Sequence, residues 1–319
     1  MRTVLITGGA GFVGRHFTEF FLKLGDHVFC VDSLAKFTGQ QPPDRWYFHP
    51  NQFSNFRFYR EDCRMFFHRR TLPKFDLVLH LAAMVGGRLM IENNPLAVAD
   101  DLSIDSGFWQ WAIRAKPAKI LTFSSSAVYP IKFQTKHRSV LLEEEMIRFE
   151  SDLGMPDMTY GWAKLTAEYM GILAYKKYGI KSVAYRPFSG YGNDQDLSYP
   201  IPAIMKRIKH MHGDEIEIWG SGHQRRDFIH IDDCVRGVVK TMGKIDDGSA
   251  LNLSTGRLTS FNELVAIAGV VLGKKIKAKP KTSRPEGVFA RGGDTVKQKK
   301  LGFVAKTTLE EGIQRFFEV

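Results

Sequence analysis

Cysteine is scarce: the 319 residues hold three, Cys30, Cys63 and Cys234. They lie far apart and lack the even count or short spacings of a disulfide framework or zinc site. A reducing, cytoplasmic setting and no bound metal are therefore expected. Long apolar runs are missing as well. No stretch reaches the roughly 18 residues that a membrane span needs, and no leader-like segment precedes the first apolar run at residue 4, so no membrane association is expected. Internal repeats and low-complexity tracts are absent, which sets aside solenoids and wholesale disorder. Acidic residues are in deficit, 34 Asp and Glu against 45 Lys and Arg, for a formal net charge of +11. Such a charge suits nucleic acid, a membrane surface or a small polyphosphate. The densest basic stretch, residues 274–281, has no interleaved aromatics for base stacking and reads as a solvated edge strand or loop.

What is present is alternation. Residues 4–7, 27–32, 77–81, 120–124 and 183–186 are short, nearly continuous apolar runs, as expected of strands buried on both faces. Between them lie helix-like stretches such as 95–115 and 159–178. The pattern predicts an α/β fold, a doubly wound parallel Rossmann sheet. After residue 186 it changes: Pro187, Pro200 and Pro202 punctuate a loop before a helix near 203–211. A strand at 215–219, a glycine turn, a strand at 250–254 and a helix near 261–272 follow. The expected division is a Rossmann domain over 1–185 with a return near 228–255. A smaller, discontinuous α/β substrate domain then takes 186–227 and 256–319.

The first strand runs into Thr7-Gly8-Gly9-Ala10-Gly11-Phe12-Val13-Gly14. Gly8, Gly11 and Gly14 permit a tight turn, close approach of a pyrophosphate and close helix packing, and the helix start at Phe12 and Val13 offers free N–H groups. Asp32 ends the second strand, where its carboxylate can accept from adenosine ribose hydroxyls and would repel a 2′-phosphate. This points to NAD rather than NADP, with Arg15 and Lys36 close enough in sequence to soften the preference. Asp62 either faces the adenine or is a solvated loop acid.

Tyr160 and Lys164 are four residues apart on a predicted helix and so share a face. An ammonium beside a phenol favours the phenolate and should lower its pKa from about 10 toward working pH, making a general base. Ser124-Ser125-Ser126 ends a predicted parallel strand, where open α/β sheets place ligands.

Taken in order, the glycine loop, His80-Leu81-Ala82-Ala83, the serine run before Val128-Tyr129, Tyr160/Lys164, Arg186-Pro187-Phe188 and Gln224-Arg225-Arg226-Asp227-Phe228 resemble the extended short-chain dehydrogenase/reductases, specifically the NAD-dependent nucleotide-sugar epimerase/dehydratase family. The resemblance covers residues 3 to about 313. It implies bound NAD contacted by Leu81, Ala82, Ala83, Tyr160 and Lys164, and a nucleotide diphosphate sugar as substrate. It also implies a homodimer joined through helices 95–115 and 159–178. Ser125, Tyr160 and Lys164 become the catalytic set, with Arg226 and Arg284 on the substrate diphosphate. Gly87, Ser126 and Tyr199 fall at the substrate. Arg88 and Glu92 either reach the sugar or form a solvated loop pair. Asp101 stands near a position where relatives carry Asn.

The departures from the family select among reactions. Ser126 and Ala127 stand where the 4,6-dehydratases carry Asp and Glu, and Ala127 also replaces the Glu of the decarboxylases. Met84-Val85-Gly86-Gly87, Tyr129-Pro130 and Pro285-Glu286-Gly287-Val288 resemble GDP-fucose synthase and GDP-mannose 3,5-epimerase, which tilts the expected base toward GDP over UDP, dTDP or CDP. Those relatives need a Cys where this chain has Ala127. Epimerisation at C4 through a transient 4-keto sugar needs only Ser125, Tyr160, Lys164 and NAD, and is the expected reaction. A C4 oxidoreductase and a modified 3,5-epimerase remain alternatives. An RNA-binding protein that kept the fold is an alternative of another class.

Overall fold

The computed structural model describes residues 1–35, 39–69, 71–84 and 86–318; Lys36 and Val85 lie outside the described residues. Seven strands form the main sheet: β1 (Thr3–Thr7), β2 (His27–Asp32), β3 (Phe56–Arg60), β4 (Leu77–His80), β5 (Ile120–Phe123), β6 (Ser182–Pro187) and β7 (Asp247–Leu253). All pair in parallel, in the order β7-β6-β5-β4-β1-β2-β3. The order reverses between β1 and β4, which opens a crevice at the C-terminal ends of these two strands. This is the doubly wound α/β sheet expected from the alternation.

Burial on both faces accounts for the unbroken apolar strands. On β1, Val4 and Ile6 pack with Phe17 and Phe21 of helix α1 (Phe12–Lys23), while Leu5 packs with Phe108 and Trp111 of helix α2 (Asp101–Ala115). Helix α3 (Met158–Tyr178) lies beside α2 and adds Ala174 to the same cluster. The helix expected over 95–115 is in fact two, Pro95–Val98 and α2. The interruption places Asp101 in the first turn of α2, where a carboxylate is favoured by the N-terminal field.

A second apolar cluster joins Ile201, Ile204 and Ile208 of helix α4 (Pro200–Lys209) to Ile216, Ile218, Leu264 and Val265. This helix begins at Pro200 rather than near 203, because first-turn residues need no intrahelical N–H donor and so tolerate Pro200 and Pro202. Short strands Thr259–Ser260, Arg225–Arg226, Ala290–Gly293 and Leu141–Leu142 form a four-stranded sheet. Lys277–Lys281 is an edge strand parallel to Glu215–Trp219. Its lysines meet acids across the pair, Lys281 to Glu217 at 2.7 Å and Lys277 to Asp214 at 3.5 Å. The late Phe303 returns to the main-sheet core beside Leu253. Among the described residues no helix is long and apolar enough to cross a membrane.

Candidate active site

The glycine loop turns where β1 meets the crevice. Gly8 is left-handed (φ 70°), and a Cβ there would lie 2.7 Å from the Ala82 nitrogen, so the loop touches the Leu81-Ala82-Ala83 segment after β4. A Cβ on Gly14 would collide with the Gly8 carbonyl and lie 2.7 Å from Gly9 Cα. Gly11 precedes α1 without a side-chain cap, and no acid sits in the first turn. The leading N–H groups at Phe12 and Val13 therefore keep their positive field for a phosphate. Asp32 is buried at the end of β2. Its Oδ2 accepts from Ala10 N–H at 3.0 Å and its Oδ1 from Leu34 N–H at 2.8 Å. Burial raises its pKa against these bonds, and each oxygen retains a lone pair for a ribose hydroxyl. Arg15 does not offer itself to a 2′-phosphate: its buried guanidinium donates to Ala10 O and to Asp194. The loop, the uncapped helix and Asp32 thus fit NAD. Asp62 caps the short helix Cys63–Phe66 and pairs with Arg64 at 2.6 Å, which commits its carboxylate locally.

Ser125, Tyr160 and Lys164 come together at the C-terminal end of β5. Two features of the backbone bring α3 close. A Cβ on Gly161 would meet Ala127 O at 2.5 Å, so only glycine lets the helix approach the turn after Ser125. The chain also enters α3 through Met158 in the left-handed region (φ 58°), at a cost of about 1–2 kcal/mol for a non-glycine residue. Ser125 Oγ accepts from Ala127 N–H at 3.1 Å and hydrogen-bonds the Tyr160 phenol; Ser126 beside it is buried. Lys164 is 5 % exposed, and its Nζ lies 5.8 Å from the Tyr160 ring centroid and 3.4 Å from Asp101 Oδ2.

The electrostatics correct one expectation. The Tyr160 pKa is raised, not lowered: burial dominates, Lys164 opposes it, and Asp101 adds to it. Asp101 is 1 % exposed and accepts from Met84 N–H, so its charge sits directly behind the ammonium. Burial raises the Asp101 carboxyl against the pull of Lys164. Burial also works against the Lys164 ammonium, but Asp101, Asp105 and Tyr160 together outweigh it and raise its pKa. Asp105 in turn meets His80 Nε2 at 3.1 Å, and His80 Nδ1 meets Thr7 Oγ1 at 2.7 Å.

Around Tyr160 stand further groups. Tyr199 precedes α4; burial raises its phenol, and Tyr160 raises it further. Gly87 packs against the Ser198 carbonyl, joining the segment after β4 to the start of α4. Arg88 pairs with Glu92 at 2.6 Å, both half-buried, and with both oxygens of Asp157 at 2.9 and 3.0 Å, so its guanidinium is committed to these carboxylates. Among the described residues Arg226 donates to the carbonyls of Arg225 and Glu286, and burial together with Arg291 pushes its pKa down to about 9. Arg284 stands apart, exposed over the Trp219 ring at 5.3 Å.

Sequence reasoning missed Arg291 and Asp157. Arg291 donates to Gln134 at 2.6 Å and Asp157 at 2.8 Å, and it acts on the Tyr160 phenol. The two carry no motif of their own; the one available signal was the position of Arg291 three residues beyond the Pro285-Glu286-Gly287-Val288 run.

A family model described as the NAD dependent epimerase/dehydratase family matches residues 4–254. A UDP-glucuronate 4-epimerase of Thermodesulfobacterium geofontis is 28% identical over 98% of this chain and 94% of that protein. A GDP-mannose 3,5-epimerase of Arabidopsis thaliana is 28% identical over 98% of this chain and 80% of that protein. Among solved structures, the UDP-glucose 4-epimerase of Thermotoga maritima with UDP-glucose superposes with a TM-score of 0.83 at 25% identity, covering 99% of this chain and 98% of that one.

Proposed function

The chain belongs to the NAD dependent epimerase/dehydratase family and is an NAD-using enzyme of nucleotide sugars, and we propose that it inverts C4 of its sugar through a transient 4-keto stage. The observation that carries this reading is the joining of Ser125, Tyr160 and Lys164 in one crevice, with Ala127 in the slot where related reactions need a second acid or base. Tyr160 takes the proton of the 4-hydroxyl, and Ser125 hydrogen-bonds the same oxygen as it becomes a carbonyl. NAD, when bound, supplies the acceptor that holds the C4 hydride until it returns to the opposite face. Lys164 stabilises the phenolate, and Asp101 holds Lys164. Arg226, which forms no ion pair with a carboxylate among the described residues, suits the diphosphate; Arg284 lies apart over Trp219 and is assigned to the same diphosphate by the family resemblance alone.

The curated relatives include enzymes named for UDP- and for GDP-sugars, so they do not select between the two bases. A modified 3,5-epimerase is the second reading, favoured by Tyr199 beside Tyr160. In the same proposal the enzyme is a cytoplasmic homodimer joined through α2 and α3. Phe108, Trp109 and Trp111 are used up in the sheet core, but Leu102, Trp162 and Tyr169 on these helices are exposed and apolar enough for a partner. The test is incubation of the NAD-loaded protein with UDP-glucuronate, UDP-glucose and GDP-mannose, with products resolved by NMR. A C4 epimer from one of them, absent with Tyr160→Phe, supports the proposal; turnover that survives Tyr160→Phe contradicts it.

A further inference from the structure

Arg226 and Arg291 are direct neighbours across a pair of parallel strands, Arg225–Arg226 and Ala290–Gly293. Like charges opposite one another destabilise a sheet, and burial makes the cost larger. Burial also pulls the pKa of both guanidiniums down. An arrangement that costs stability in the empty protein is expected where an anion arrives to offset it. A diphosphate on Arg226 accounts for one of the two. Arg291 stands differently. Its Nε is held by Gln134 Oε1 and one Nη2 hydrogen by Asp157 Oδ2, while its Nη1 donates to no described protein group. Asp157 is itself shared with Arg88. One edge of the guanidinium is thereby fixed and the other is left for a ligand.

The direction of that free edge follows from the reacting end of the sugar. Arg291 donates to Asp157, the residue at the N-cap of α3 one turn before Tyr160, whereas Arg226 donates to the Arg225 and Glu286 carbonyls. With a 4-hydroxyl on Tyr160, the substituent at C5 lies next to the reacting carbon, whereas the diphosphate on C1 lies across the ring. A group placed near Tyr160 reaches the neighbours of C4, and of these only C5 carries an exocyclic carbon that can be a carboxylate.

Resting on the C4 reading above, we propose that Arg291 is a specificity residue that binds a carboxylate on the sugar itself, so that the substrate class is a nucleotide-linked sugar acid. Asp157 and Gln134 orient the guanidinium, and Arg88 adds charge from the segment after β4. A charge-assisted pair of this kind is worth about tenfold to a hundredfold in affinity over a hydroxymethyl group.

The test is calorimetric and does not depend on turnover, so it fails separately from the epimerase reading. Dissociation constants are measured on NAD-loaded protein for UDP, UDP-glucose and UDP-glucuronate, and for GDP, GDP-mannose and GDP-mannuronate. In the series that binds, the acid should bind at least about tenfold more tightly than its neutral counterpart. Arg291→Met should erase that difference and leave the bare nucleoside diphosphate within about twofold, while Arg291→Lys should keep part of it. The proposal is overturned if the wild-type protein binds neutral and acidic sugars equally, if neither acidic sugar binds, or if Arg291→Met weakens the bare diphosphate as much as the acid. The last result would make Arg291 a second diphosphate ligand. The wild-type comparison stands even if the Met variant fails to fold.

Discussion

Replacing Asp101 with Asn removes one negative charge from directly behind Lys164 and leaves the side-chain shape nearly unchanged. The 3.4 Å and 5.8 Å separations through Lys164 put the Asp101 carboxylate at most about 9 Å from the Tyr160 ring. At an effective dielectric near 20, a unit charge at that distance is worth about 1.8 kcal/mol, a little over one pKa unit. The sign is fixed by the charge. Asp101 stabilises the neutral phenol, so its loss lowers the Tyr160 pKa and makes the base available at lower pH. The rising limb of the kcat–pH profile should move down by about one unit in Asp101→Asn, with less turnover gained on the alkaline side. The same variant should melt earlier, since a buried ammonium loses its partner, an effect that reaches 3–5 kcal/mol where no replacement acceptor remains. A merely structural role would lower the melting temperature and leave the limb in place. An unmoved limb in a folded variant would refute the electrostatic reasoning and indicate that Asp101 is already neutral beside Met84 and Lys164.

Gly14→Ala should lose NAD binding and melt earlier, because the new Cβ collides with the Gly8 carbonyl; fluorescence titration with NADH and a thermal melt read both. Arg186 and Glu168 form a buried pair at 2.6 Å that also holds Ser124 and Tyr129, so Arg186→Leu should cost about 3–5 kcal/mol in urea unfolding. An effect below about 1 kcal/mol would show that losing Arg186 does not leave Glu168 as an uncompensated buried charge. Burial opposes ionisation of Asp157, but Arg291 and Arg88 outweigh it and hold its carboxyl below the usual range. Its contribution is therefore present above the unfolded pKa, near 4, and is lost as pH falls through the lower folded value. Acid unfolding of Asp157→Asn should accordingly be shallower below about pH 4 than that of the wild type.

Much of the frame was legible in the sequence because it depends on local pattern. The short apolar runs, with the strand expected at 250–254, mark six of the seven strands of the main sheet, and the glycine loop, Asp32 and the Tyr160/Lys164 spacing need only a strand, a turn and a helix. What escaped depends on contacts distant in sequence. Arg291 meets Arg226 only through pairing of strands 65 residues apart, and Asp157 becomes an anchor only when Arg88 and Arg291 arrive from opposite ends of the chain. The Tyr160 shift runs against the expected direction chiefly because the fold buries the phenol, and Asp101 adds to it. The helical pair shows Lys164, but the break after Pro95–Val98 that swings Asp101 behind it is a tertiary event. Arg15 likewise reads as a cofactor contact until Asp194 is folded onto it.

The central claim, inversion at C4 by internal hydride return, is tested most directly by running the reaction in deuterated water and examining the product by NMR. The account predicts a C4 epimer with no deuterium on any ring carbon, because the hydride that leaves C4 is the one that returns. Deuterium at C3 or C5 would contradict it and show that further acids and bases, Tyr199 foremost, deprotonate carbon in this site.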